Sequence, residues 1–183
     1  MKNSVFIGTS LDGYIADKYG GLDYLHAIPN PTNDDMGYHS FISSIDAIIM
    51  GRTTFETVCS FDGEWPYQVP VFVLSNTLTE IPAAQKGKAY LAKGLLTEVL
   101  AEIRNQEFHN LYVDGGKTIQ SFLQEDLIDE MIITSIPILL GGGFSLFGEL
   151  TSPMLFKCVE TTILVDAIVQ SRFIRVREKN THC

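Results

Sequence analysis

Apolar positions along the chain fall into two periods. Residues 4–9, 45–50, 70–74 and 111–114 form short, nearly continuous apolar runs, each ending near Gly, Ser, Asn or Asp. Runs of this length, rich in Val, Ile and Phe, predict strands buried on both faces. Leu95, Leu96, Val99, Leu100 and Ile103 repeat at helical spacing, which predicts an amphipathic helix over 94–105. Ile119, Phe122 and Leu123 predict another over 117–124. Residues 88–92 and 131–139 predict further strands. Residues 159–165 and 168–176 predict two more, meeting at a tight turn near Asp166-Ala167. Asn33-Asp34-Asp35 has the character of a helix N-cap and predicts a short helix to about Ser44, after a long loop over 17–33. Strands alternate with helices to about residue 139, and two adjacent strands close the chain. The pattern predicts an α/β fold, one domain over residues 1–183, with a mainly parallel sheet and an antiparallel C-terminal hairpin. The tail from about 178 is predicted to fray.

Composition narrows the partners. Apolar residues make up 45% and charged residues 19%. This lean charged surface, with the uncharged stretch Met131–Gly148, predicts a homodimer. A net charge of −9 repels nucleic-acid backbone. An anionic ligand would therefore need a local positive pocket. Cys59, Cys158 and Cys183 form no C-x-x-C pair and read as free thiols in a reducing cytosol. The four histidines have no metal-ligand spacing, so no metal site is predicted. The first apolar run meets Asp12 too soon for a signal peptide, and Pro137 and Gly141-Gly142-Gly143 break the uncharged stretch. A cytoplasmic protein without a membrane span is expected.

The candidate chemistry lies at two strand ends. Ile45–Met50 is followed by Gly51-Arg52-Thr53-Thr54, and Leu111–Asp114 by Gly115-Gly116-Lys117-Thr118. Each places a glycine, a cation and a hydroxyl where a strand hands over to a helix N-terminus, a ready site for anions. Glycine at a strand end also serves simply to turn the chain. Two such corners, each with a cation, point to a ligand carrying several phosphates. Better-known motifs fail. A P-loop ending at Gly116-Lys117-Thr118 would need its first glycine at Leu111. From Gly141 and Gly143, the third glycine of a G-x-G-x-x-G falls on Leu146.

Five segments occur in an order that carries a resemblance: Ser10–Ala16; Ile49–Glu56; Val73–Asn76; Val113–Gly116; and Leu127–Glu130 with Pro137–Gly143. Over residues 3 to about 177 the chain resembles the reductase domain of bacterial riboflavin biosynthesis, in its stand-alone form, which shares the dihydrofolate reductase fold. The resemblance implies a dihydrofolate reductase-like central sheet of about eight strands flanked by helices. It also implies NADPH as hydride donor, lying across the strand ends. By matching position, Gly51, Arg52, Thr53 and Thr54 would hold cofactor phosphates, and Leu74, Ser75 and Asn76 the adenosine half. Gly115, Gly116, Lys117 and Thr118 would pack on the pyrophosphate, and Ala16 would flank the nicotinamide. Arg52 and Lys117 would lie near the 2′-phosphate. Strained backbone, with a cis peptide bond, is implied at Asp114-Gly115-Gly116. Dihydrofolate reductases carry a carboxylate on the first helix. Counting back from Gly51 puts Asp35 there, with Asp34 beside it, and both also read as helix caps. The expected function is NADPH-dependent reduction of a small heterocyclic or ribosylated-pyrimidine substrate. The alternatives are dihydrofolate reduction and an NADPH-binding module without turnover.

Overall fold

The chain runs β1 (Lys2–Ser10), β2 (Tyr14–Ala16), α1 (Tyr38–Ile42), β3 (Ala47–Gly51), α2 (Arg52–Cys59), β4 (Val71–Leu74), β5 (Ala89–Ala92), α3 (Leu96–Asn105), β6 (Asn110–Asp114), α4 (Gly116–Gln124), β7 (Glu130–Ile136), β8 (Phe144–Ser145), β9 (Phe156–Leu164) and β10 (Ile168–Arg175). The computed structural model describes residues 1–177, and the tail expected to fray lies outside them. Eight strands form one sheet in the order β5-β4-β3-β6-β1-β7-β10-β9. All neighbours are parallel except β7–β10 and β10–β9. The mainly parallel sheet with its antiparallel end is the predicted architecture.

The central strands are continuous apolar runs because both faces are covered. Ala47, Ile48, Ile49 and Met50 of β3 have no exposed surface. Ala47 and Ile49 join Val113, Val99, Leu100, Ile103, Ile119 and Phe122 in one core layer, so α3 and α4 cover that face. Ile48 and Met50 join Phe41, Phe55, Val73 and Tyr112, so α1 and α2 cover the other. The antiparallel end is pinned by a buried carboxylate: Glu130 on β7 pairs with Lys2 of β1 and Arg172 of β10, each at 2.6 Å.

Three local features differ from the sequence expectation. The helix expected from Asn33 begins only at Tyr38. Asn33, Met36 and Gly37 have positive φ, because the Asp34 and Asp35 side chains take up backbone N–H groups in turns before the helix starts. The loop before it is anchored to the sheet: the Tyr24 hydroxyl donates to the Gly8 carbonyl at 3.0 Å, and the Gln170 amide to the Met36 carbonyl at 2.9 Å. A second, two-stranded sheet of β2 and β8 has no strand signal in the sequence. The hairpin turn sits one residue earlier than predicted, with Val165 and Asp166 both at positive φ. Met131–Gly148 holds most of β7, the glycine loop and β8, and no described helix is long and apolar enough to cross a membrane.

Candidate functional site

Topology locates the site before any side chain is considered. From β3 the chain passes through α2 to β4, towards one edge of the sheet. From β6 it passes through α4 to β7, towards the other. These two strands are neighbours, with Met50 opposite Asp114. A reversal of this kind opens a crevice at the carboxyl ends of the strands, where open α/β sheets bind ligands. Both helices begin there. Neither N-terminus receives a side-chain cap, and neither first turn contains an acid. Their first N–H groups therefore point unpaired at the crevice.

The two corners interlock. A Cβ on Gly51 would come within 2.9 Å of Thr118 Oγ1, and a Cβ on Gly115 would collide with Thr54 Oγ1. Each corner thus leaves room for the other's threonine. Gly115 also has φ of 88°, a region all but closed to residues with a Cβ. No peptide bond among the described residues is cis. The cis bond implied at Asp114-Gly115-Gly116 is therefore corrected: the positive φ of Gly115 makes the turn instead.

Around the first corner, Leu74 ends β4 opposite Gly51. Arg52 Nε donates to Glu56 Oε1 at 2.7 Å and its Nη1 to Thr77 Oγ1 at 3.2 Å. Ser75 Oγ accepts the Leu78 N–H at 2.9 Å, and Asn76 Oδ1 the Gly94 N–H at 3.4 Å. Thr53 is exposed and Thr54 half-buried against Gly115. At the second corner Thr118 is buried. Lys117 is exposed and reaches only Gln120 Oε1, at 3.5 Å. Ala16 is buried, with its carbonyl against Gly143, and its neighbour Ile15 lies over Gly116. The residues assigned to a cofactor from sequence thus gather around the carboxyl ends of β3, β4 and β6.

Asp35 does not belong to this group. It is exposed, Oδ2 accepting the His39 N–H at 2.8 Å and Oδ1 the Gly37 N–H at 2.9 Å. These bonds hold its carboxyl below the usual range. Asp34 is likewise exposed, bonded to the Met36 N–H at 2.8 Å. The catalytic assignment of Asp35 is therefore corrected to capping: the acids count back correctly from Gly51 but are used up by the turns that open α1. Asp35→Ala is expected to lower stability only slightly, through loss of the turn before α1, and to leave turnover unchanged. Urea denaturation and NADPH oxidation check this, and a hundredfold loss of kcat would restore Asp35 to the chemistry.

The acid that the structure does bring to the crevice is Asp114, which sequence reasoning passed over. Burial pushes its carboxyl up to about 6, against the opposing pull of the Gly115 N–H, at 2.8 Å, and of the nearby Tyr112 hydroxyl, which donates its own proton to the Phe6 carbonyl at 2.9 Å. Burial and the nearby Asp114 charge raise Tyr38, Tyr67 and Tyr112 together, so three phenols surround the carboxyl. Trp65 packs edge-on against Tyr67 and Phe55, with centroids 5.3 and 6.0 Å away. One signal was available. Asp114 is a charge closing a central apolar strand beside a phosphate-shaped corner, where an ionised carboxylate would repel the ligand. Such a position suits an acid that carries a proton.

The sheet order and its antiparallel end are those of the dihydrofolate reductase fold. At the level of fold alone, the chain is similar to dihydrofolate reductase from Enterococcus faecalis complexed with NADP(H), with a TM-score of 0.67 at 17% identity over 95% of this chain and 96% of that one. The chain belongs to the RibD C-terminal domain family, which it matches over residues 4–169. It is 32% identical to the uncharacterized protein YwjB of Bacillus subtilis over 95% of this chain and 98% of YwjB. It is 52% identical to a solved protein of Shewanella sp. PV-4 assigned to riboflavin biosynthesis, with a TM-score of 0.95 over 97% of this chain and all of that one.

Proposed function

We propose that this protein is a cytoplasmic, homodimeric, NADPH-dependent reductase of a small heterocyclic or ribosylated-pyrimidine substrate, and that Asp114 is its proton donor. The observation that carries the reading is the meeting of two uncapped helix N-termini at the switch point, with a carboxyl of raised pKa between them. The residues fit the cofactor. Both helices start without a side-chain cap, no acid stands in either first turn, and Arg52 lies beside the Ser75 and Thr77 hydroxyls. Gly51–Thr54 and Gly115–Thr118 would hold the phosphates, and Arg52 with Ser75 and Thr77 the 2′-phosphate.

When bound, NADPH supplies a hydride to carbon. The chain's own residues complete the reduction of a C=O or C=N group. Asp114 gives its proton to the oxygen or nitrogen, which takes the electron pair of the broken π bond, and then regains a proton from water. The aromatic side chains of Tyr38, Tyr67 and Trp65 keep water from the reacting centre. Asp35 was the residue that favoured dihydrofolate, and its capping role removes that support.

The test is NADPH oxidation with the ribosylated pyrimidine set against dihydrofolate, alongside Trp65 fluorescence as a binding signal. Quenching without turnover on either substrate would favour a binding module, and no quenching would end the reading. Arg52→Ala is expected to weaken NADPH binding tenfold to a hundredfold, the worth of about 1.5–3 kcal/mol for a bond to a charged group. NADH binding should barely change. Lys117→Ala should matter less, since an ammonium makes no bidentate contact. Equal losses for both cofactors would move these residues to the pyrophosphate. The dimer has support in Leu139, Leu155 and Ile163, each about two-thirds exposed. A monomer in light scattering would remove it.

A further inference from the structure

Two loops, 10–16 and 138–147, meet over the start of α4, and one carboxylate ties them together. Asp12 Oδ1 accepts the Ser10 hydroxyl at 2.6 Å and the Leu140 N–H at 3.1 Å, while Oδ2 accepts the Gly141 N–H at 2.8 Å. The Ser10 hydroxyl holds the Asp12 carboxyl below its usual range, slight burial opposes it, and the two amides add to the lowering. Backbone bonds complete the clasp: Leu11 N–H to the Ile138 carbonyl at 2.8 Å and Leu146 N–H to the Gly13 carbonyl at 3.0 Å.

The second loop has little stiffness of its own. Gly141, Gly142 and Gly143 follow one another at positive φ, and such a run loses more entropy on ordering than any other. Asp12 grips it at its first residues. From there the contact passes inward. Gly143 lies against the Ala16 carbonyl, Ser145 pairs with Tyr14 across β2 and β8, and Ile15 and the Ser145 carbonyl cover Gly116. Gln120 of α4 donates to the Ser145 carbonyl at 2.9 Å, closing the circuit. Asp12 itself is exposed and touches neither corner. A carboxylate suits this place because it can accept all three donors at once. An asparagine would turn its NH₂ towards one of them.

We infer that Asp12 is a positioning residue that holds Tyr14–Ala16 over the α4 corner and so sets affinity for the part of a dinucleotide lying on that side of the crevice. The inference rests on the dinucleotide reading above. Arg52, Ser75 and Thr77 stand at the ends of β3 and β4, whereas the clasp borders β1, β7 and α4. A ligand gripped only at the Arg52 side should not feel Asp12.

The experiment uses Asp12→Asn and Asp12→Ala in the full chain, with two readouts. Hydrogen exchange of the free protein reports the clasp, and equilibrium titration compares NADPH with 2′,5′-ADP, which has the 2′-phosphate but no nicotinamide. Faster exchange is expected at Leu140, Gly141 and residues 14–16. The Kd for NADPH should rise about tenfold, since charge-assisted bonds are lost, and that for 2′,5′-ADP should stay within twofold. Unchanged exchange, or a released loop with unchanged NADPH affinity, overturns the inference. So does an equal loss for both nucleotides, which would mean general damage to the crevice. If the unaltered protein binds NADPH but the variants bind it as well, only the positioning role fails. If it binds neither nucleotide, the cofactor reading fails, and the positioning role falls with it.

Discussion

Asp114→Asn is expected to lower kcat by about 100- to 10,000-fold, the usual contribution of a general acid, while making the protein more stable at neutral pH. The two effects share one cause. Burial lifts the Asp114 carboxyl from its ordinary 3.8 to about 6. A carboxyl whose folded value lies above its unfolded one contributes stability below about pH 4, and that contribution is lost as pH rises through about 6. Above pH 6 the folded protein therefore carries an ionised group in a site that disfavours charge, at a cost on the order of 2–3 kcal/mol. Asparagine has nearly the same shape, can still accept the Gly115 N–H, and carries no charge. The variant should gain roughly 5–10 °C in Tm at pH 8 and nothing at pH 4. If Asp114 is the proposed proton donor, kcat of the unaltered protein should fall as pH rises through about 6, because the proton to be donated is lost. Thermal melts of both proteins across pH 4–8, beside a pH–rate profile, test this. Parallel Tm curves would show that the carboxyl does not titrate in the folded state as described.

Gly115→Ala is expected to be the most damaging single-methyl substitution in the crevice. At φ of 88° the added Cβ meets its own backbone, and on its other side it meets the Thr54 hydroxyl. Backbone strain of about 1–3 kcal/mol in this sparsely populated region and overpacking of about 1–3 kcal/mol together give a loss of roughly 2–6 kcal/mol and a Tm lowered by about 5–20 °C. NADPH affinity should fall at least tenfold, because the α2 N-terminus must move to release Thr54. The interlock makes a sharper claim: Thr54→Ala should recover part of the Tm loss in the Gly115→Ala background while changing Tm little alone. Strictly additive effects would mean that the corners do not touch in solution.

How far the chain is legible from its sequence follows from the range of the forces involved. The buried strands, α3 and α4 could be read directly, because their patterns come from neighbours a few residues apart: Ile48, Ile49 and Met50 must be apolar if both faces of β3 are covered. The two strand–glycine–helix corners were legible for the same reason, each being a local sequence with a local geometry. Asp35 shows the limit of counting. Its distance from Gly51 matches a catalytic acid, but local side-chain-to-backbone bonds, with donors only two and four residues away, capture it first.

What tertiary structure alone decided is which distant segments share a space. Nothing local in Tyr14–Ala16 or Phe144–Ser145 marks a strand, since each finds its partner some 130 residues away. Asp12 looks like an ordinary turn residue until the Gly141 N–H arrives beside it. Asp114 reads as the polar end of a strand. Only folding packs it beside Tyr38, Tyr67 and Tyr112, and the partial loss of water there raises its carboxyl to about 6.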